Sequence, residues 1–200
     1  MNVVTEWTLS EAARLLGEPQ HRLIYLCEKG VVVPEFGNAK GRGSSRRFSA
    51  RNLLEFALAL KLRELTLPVD TVAAIIYVVR TFEWKVSGGI KGFDLVRDLR
   101  EKNAPDLRII ISDGRRLYFS LRTSSGGPKL FGGLDFRDLA TQKGKPETLR
   151  KGKTGAKEQG TGEIPHSEVS AANFGGLEGS KHARIEISVT HIAKDLPLDG

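Results

Sequence analysis

Apolar residues fall at helical spacing through the first part of the chain and at alternating spacing later. Ala13 and Leu16 lie three apart, in a segment that Gly17 can stop and that Ser10 is expected to cap. Leu23, Leu26 and Cys27 form an i, i+3, i+4 stripe in a second helix, whose first turn accommodates Pro19 and which Gly30 ends. Val31-Val32-Val33 is a short β-branched run stopped by Pro34, and Arg46-Arg47-Phe48 is expected to pair back on it as the second strand of a small wing. Glycines 37, 41 and 43 let the connecting loop turn. Ser49 caps a third predicted helix reaching about Leu65, with Leu53, Phe56, Ala57, Leu60 and Leu62 apolar. Pro68 opens a fourth, in which Val72, Ile75, Ile76 and Val79 make a broad apolar face that predicts burial on more than one side.

Beyond Gly88-Gly89 the period changes. Phe93 to Lys102 predicts a short helix with Leu95, Val96 and Leu99 on one face. Leu107 to Ser112, Asp113-Gly114 and Arg115 to Arg122 predict a β-hairpin, because Asp-Gly supplies the positive φ angles of a tight turn. Leu130-Phe131 is a candidate further strand, and Arg184 to Thr190 alternates as a returning one. Between them, 141–180 is poor in apolar residues and rich in Gly, Lys and Glu. Such a segment cannot bury enough to offset its ordering entropy, so it is expected to be a long flexible loop. The predicted class is α+β: a helical winged helix-turn-helix domain over 1–86, then a small α+β domain over 90–200 with a β-hairpin and the mobile segment 141–180.

Composition narrows the function. The 200 residues carry a formal net charge of +7, which favours polyanionic partners, nucleic acid first. The charge is most informative where it clusters: Phe36 to Arg51 holds Lys40, Arg42, Arg46, Arg47 and Arg51 and no acid. Cys27 is the sole cysteine, so no internal disulfide and no cysteine-based metal cluster can form within one chain. The apolar stretches near 53–62 and 72–79 are too short and too interrupted to span a bilayer, and the N-terminus lacks a basic segment followed by an apolar run. A cytoplasmic protein with no membrane partner is expected.

Two short helices joined by a tight link form a helix-turn-helix, whose second helix can lie in the DNA major groove. Here it would present Gln20, His21, Arg22 and Tyr25. Gln and Arg can make bidentate contacts to adenine and guanine edges. Lys40, Arg42, Arg46 and Arg47 would neutralise backbone phosphates, setting register while the helix selects sequence. Bland roles compete with each of these: Tyr25 as core, His21 as an exposed polar residue, Arg51 as decoration of a helix's first turn, Cys27 as core. Other chemistry is thin. His166, His182 and His191 lack metal-ligand spacing, no glycine loop follows a strand and opens a helix, and Ser124 to Gly127 reads as a turn. No cofactor, no metal and no enzymatic activity are expected. The basic run Lys143, Lys145, Arg150, Lys151, Lys153 and Lys157 suits either nonspecific DNA affinity or a solubilising loop.

Thr8-Leu-Ser-Glu-Ala-Ala-Arg-Leu-Leu-Gly17, the run Tyr25, Glu28-Lys29-Gly30-Val31 and Pro34, and Arg46-Arg47-Phe48-Ser49 opening a helix together resemble the winged-helix DNA-binding domain of the MerR family of bacterial regulators. Leu53 to Leu65 and Leu67 to Ile76 match that family's second helix pair. The resemblance covers under half the chain. It implies double-stranded DNA as partner, transcription regulation and a homodimer. Two departures stand out. Family members usually place Arg before the recognition-helix Tyr, where this chain has Ile24, with Arg22 two positions earlier. They also continue into a long antiparallel dimerisation helix, where this chain has Gly88-Gly89 and the hairpin. Two other readings share the DNA-binding head. One is an antitoxin-type interaction protein that binds DNA and, through 90–200, a protein partner. The other is a small excisionase-like architectural DNA binder.

Overall fold

A computed structural model of the chain describes residues 6–36, 46–89, 94–114, 116–122, 129–135, 168–169 and 184–198. The chain divides into two compact units, Met1–Leu107 with Ser188–Gly200, and Arg108–Ile187. The class is α+β, a helical helix-turn-helix followed by a small antiparallel sheet.

In the first unit, β1 (Trp7–Thr8) leads into α1 (Leu9–Leu16). The cap of α1 is Thr8 rather than the expected Ser10. Thr8 Oγ1 accepts from the Glu11 N–H at 3.2 Å, and the Thr8 N–H donates to Glu11 Oε2 at 2.7 Å. This reciprocal box needs Glu three residues past the cap, and Thr8, not Ser10, has one. Gly17, at φ 65°, closes α1. After Glu18 and Pro19, α2 runs over Gln20–Glu28, with Leu23 and Leu26 buried. Gly30 takes φ 66° and the chain turns back.

Val31-Val32-Val33 is not the expected strand. Val31 and Val32 are buried, and their N–H groups donate to the Leu26 carbonyl at 2.9 and 3.4 Å, finishing the end of α2. The Val33 carbonyl instead accepts from the Asn52 side chain at 3.0 Å. With these groups occupied, β2 (Arg47–Phe48) pairs antiparallel with β1, Trp7 opposite Phe48 and Thr8 opposite Arg47. Arg47 also exchanges two backbone hydrogen bonds with Phe36, at 3.1 and 3.3 Å, which closes the 36–47 loop.

Ser49 caps α3 (Ala50–Glu64), as expected, in a box with Asn52. This helix is central: every residue from Asn52 to Leu62 is buried except Ala57 and Lys61. Phe56 packs on Phe48 with ring centroids 5.2 Å apart at 54°. α4 (Val69–Gly89) buries Val72, Ala73, Ala74, Ile75, Ile76, Val78 and Val79 and packs against α3. It ends at the predicted glycine pair. The next helix among the described residues, α5 (Leu95–Arg100), has only six residues and buries Leu95, Val96 and Leu99.

The second unit is built on a sheet. β3 (Asp106–Ser112) and β4 (Arg116–Arg122) are the predicted hairpin, with Asp113 at φ 55° and Gly114 at φ 61° as the turn requires. β5 (Lys129–Asp135) pairs antiparallel with β4, with a register shift between Leu117 and Tyr118. β6 (Glu168–Val169) pairs with Leu130-Phe131, so a strand interrupts the segment expected to be a loop. With β7 (Arg184–Ser188) the five strands take the order β6-β5-β4-β3-β7. The rest of 141–180 lies outside the described residues, as do the turn at 124–127, the basic run 143–157, His166 and His182.

The expected strand over 184–190 is divided. β7 stops at Ser188, whose hydroxyl accepts from the His191 N–H at 3.1 Å and opens α6 (Val189–Asp195). This cap converts the alternating pattern into a helix that buries Val189, Thr190 and Ala193 and packs, in the first unit, against α3 and α5. Thr190 Oγ1 accepts from the Leu107 N–H and donates to the Pro105 carbonyl, both at 2.8 Å.

Candidate nucleic-acid interface

The link between α1 and α2 is three residues, Gly17 to Pro19, and it forces the chain to turn sharply. Burial of Leu23 and Leu26, on a helix packed against α1 and α3, fixes which face of α2 remains outside. Gln20, His21, Tyr25, Glu28 and Lys29 are exposed, and Arg22 and Ile24 are half-buried. Tyr25 is therefore a surface residue, 40% exposed, with Lys29 Nζ 5.7 Å from its ring centroid. That contact is a weak cation–π pair and leaves the ring edge open. Arg22 is held by Glu18, Nη1 to Oε2 at 2.6 Å. The pair lies one helical turn apart, so it orients Arg22 and also offsets part of its charge. Pro19, the N-cap of α2, makes no side-chain cap bond, and the first-turn N–H groups keep the partial positive charge that suits an anion.

Arg46 and Arg47 are adjacent and take different surroundings, Arg46 preceding β2 and Arg47 opening it. Arg46 is exposed, and its charge acts on the Cys27 thiol of α2. Burial pushes that thiol up to about 11, and the opposing influence of Arg46 is smaller. Arg47 is half-buried, and its charge acts on Glu11 of α1. The closing end of the 36–47 loop is held by backbone pairing, Arg47 lying opposite Thr8 at the start of α1 and bonded to Phe36. Lys40 and Arg42 lie outside the described residues. Arg51 reaches Glu35, with Nη1 to Oε1 at 3.8 Å.

One set of residues behind this surface carries no functional signature in the sequence. Asn52 and Glu55 are each 3% exposed, and Arg80 of α4 grips Glu55 with Nε to Oε1 and Nη2 to Oε2, both 2.8 Å. Burial alone would lower Arg80, but the hydrogen bonds and charge of Glu55 outweigh it and hold the guanidinium above its ordinary value. The only local signal is an acid and an amide three apart in the otherwise apolar run from Asn52 to Leu60. Elsewhere, His191 is exposed and lies 3.3 Å from Asp195. Among the described residues no cluster of His, Cys, Asp or Glu could hold a metal ion, and no helix is long and apolar enough to cross a membrane.

A short-linked helix pair with a polar outer face gives α1 and α2 the form of a helix-turn-helix, a module that can bind DNA. Residues 7–77 match the model of the MerR HTH family regulatory proteins, and this part of the chain is MerR-like. No curated protein matches the chain.

Proposed function

We propose that the protein is a sequence-specific DNA-binding transcriptional regulator, with α2 as recognition helix and the 36–47 loop as a basic wing. The observation that carries this reading is the exposed polar face of α2, together with the exposed Arg46 and with Arg47 paired opposite Thr8 at the start of α1. Gln20, His21, Arg22 and Tyr25 face the bases, with Arg22 pre-oriented by Glu18. Lys40, Arg42, Arg46 and Arg47 take phosphates. Glu28 on the same face accepts from cytosine N4 or repels a misplaced phosphate, and so adds selectivity. Residues 90–200 serve dimerisation, sensing or partner binding, and a homodimer reads two half-sites spaced by helical turns.

The test is a titration of the full chain on genomic fragments and on random duplex at several salt concentrations. Preferred fragments should bind more tightly than random duplex. Arg46→Ala with Arg47→Ala should reduce the slope of log K against log salt by about 2, at roughly 0.9 per phosphate contact. Equal binding to all duplexes removes the regulator reading, and an unchanged slope removes the wing.

A further inference from the structure

The basic loop leaves α2 at Val33 to Phe36 and rejoins the fold at Arg46 to Ser49. At both ends its backbone is held by one buried side chain. Asn52 Oδ1 accepts from the Glu35 N–H at 3.0 Å and from the Ser49 N–H at 3.3 Å. Asn52 Nδ2 donates to the Val33 carbonyl at 3.0 Å and to Glu55 Oε2 at 3.1 Å. All four hydrogen-bonding capacities of the amide are therefore used, two of them on the outgoing strand of the loop and one on its return.

An amide can be turned either way, and what decides its sense is the partner that cannot adapt. An ionised carboxylate only accepts. Both Glu55 oxygens already accept from Arg80, and Oε2 also takes the NH₂ of Asn52. The oxygen is thereby aimed at the two backbone N–H groups. Reversing the amide would set its oxygen against the carboxylate and the Val33 carbonyl, and its NH₂ against two donors. A buried polar network that is fully satisfied permits one arrangement and penalises the rest strongly.

We infer that Asn52 is a positioning residue for DNA binding, locked by Glu55 and Arg80, which sets the root of the 36–47 loop and couples it to α4. The inference rests on the DNA-binding reading above. None of the three side chains needs to touch DNA. They hold the two described ends of the loop, through Val33 and Glu35 on one side and Ser49 on the other, and they link those ends to α4. A shift of Arg80 along α4 would release Glu55, then Asn52, then both ends of the loop.

The experiment compares full-length wild type with Asn52→Asp, Arg80→Gln and the double variant Asn52→Asp/Glu55→Gln. Asn52→Asp keeps the shape but places two carboxylates in contact. Arg80→Gln keeps Asn52 and loosens its lock, and it serves if Asn52→Asp does not fold. Affinity for a random-sequence duplex and its salt slope are measured alongside the unfolding midpoint. The folded variants should bind on the order of tenfold more weakly, with a slope reduced by about 1–2, as if the loop's phosphate contacts were lost. Adding Arg46→Ala and Arg47→Ala should then cost little more. In the double variant the new amide can donate to the new carboxylate, so part of the slope should return. A folded variant with lowered midpoint but wild-type affinity and slope overturns the inference, because the network would then be structural only. If wild type binds no duplex, the DNA-binding reading fails on its own, and amide exchange decides the positional claim. Faster exchange at Glu35 and Ser49, with α1 and α2 unchanged, supports it, and unchanged exchange at both overturns it.

Discussion

Cys27 shows how one residue's chemistry follows from where its helix turns. It sits at the edge of the apolar stripe of α2, half-buried rather than fully enclosed. Spacing alone puts it in the core, and spacing cannot show that the charge of Arg46, nineteen residues on, acts on it. Burial dominates over the charge of Arg46 and raises the thiol to about 11. At pH 8 the thiolate is then on the order of one part in a thousand, and the thiolate is the reactive species. Native protein should therefore react with iodoacetamide far more slowly than free glutathione at that pH, and at the free-thiol rate once unfolded in urea. Mass spectrometry over a time course reads the difference, and fast labelling of the native chain would show that the thiol is not held in this way. Tyr25 makes the complementary point. A tyrosine two residues from a buried leucine can face either way, and only the packing of Leu23 and Leu26 decides that it faces out.

At the scale of elements, caps are more legible than pairings. Ser49 and Gly17 act as their residue types suggest, because capping depends on a few neighbouring atoms. Ser10 has the right residue type for a cap, yet Thr8 wins because Glu11 stands three residues beyond it. The valine run at 31–33 suggests a strand because β-branched residues favour one. Its backbone groups are instead taken by the end of α2 and by Asn52, a partner nineteen residues away that no local pattern announces. The Thr8–Glu11 box also sets a pH dependence. The Thr8 backbone N–H, and then its hydroxyl, hold the Glu11 carboxyl below its ordinary 4.5. A carboxylate lowered in the folded state stabilises fully above its unfolded value and loses that contribution as pH falls through the folded one. Unfolding midpoints should thus drop on acidification below 4.5. Glu11→Gln, which can still accept from Thr8, should be slightly less stable at neutral pH and show a shallower acid decline. An identical acid limb in the variant would place the titrating group elsewhere.

At the scale of the whole molecule, the order of elements along the chain differs from their grouping in space. The hairpin and the short helix at 95–100 can be read locally from an Asp-Gly turn and an amphipathic triplet. The return of 188–200 to the first unit cannot, because the bonds from Thr190 back to Pro105 and Leu107 span 85 and 83 residues. The consequence is that 108–187 forms an insertion whose two ends meet. Thr190 Oγ1 is 2.8 Å from the Leu107 nitrogen, and Ser188 Oγ is 3.4 Å from Asp106 Oδ1. A few flexible residues can bridge such a gap, and shortening a loop lowers its closure entropy only slowly with length. Replacing 108–187 by a short Gly-Ser linker should therefore leave the first unit folded, with helical circular dichroism and a cooperative urea transition. Ending the chain at Ile187 should do the opposite. It strips Val189, Ala193 and Leu196 from their buried sites and leaves the Leu107 N–H without Thr190, a loss of about 3–5 kcal/mol at roughly 25 cal/mol per Å² of apolar surface plus one lost buried hydrogen bond. The pair of variants separates two ideas of the tail. If the linker variant is stable and the truncated chain is not, α6 belongs to the first unit and the sheet is a module set into it. Equal stability of the truncated and intact chains would detach α6 from that unit, and collapse of the linker variant would make the sheet part of its core.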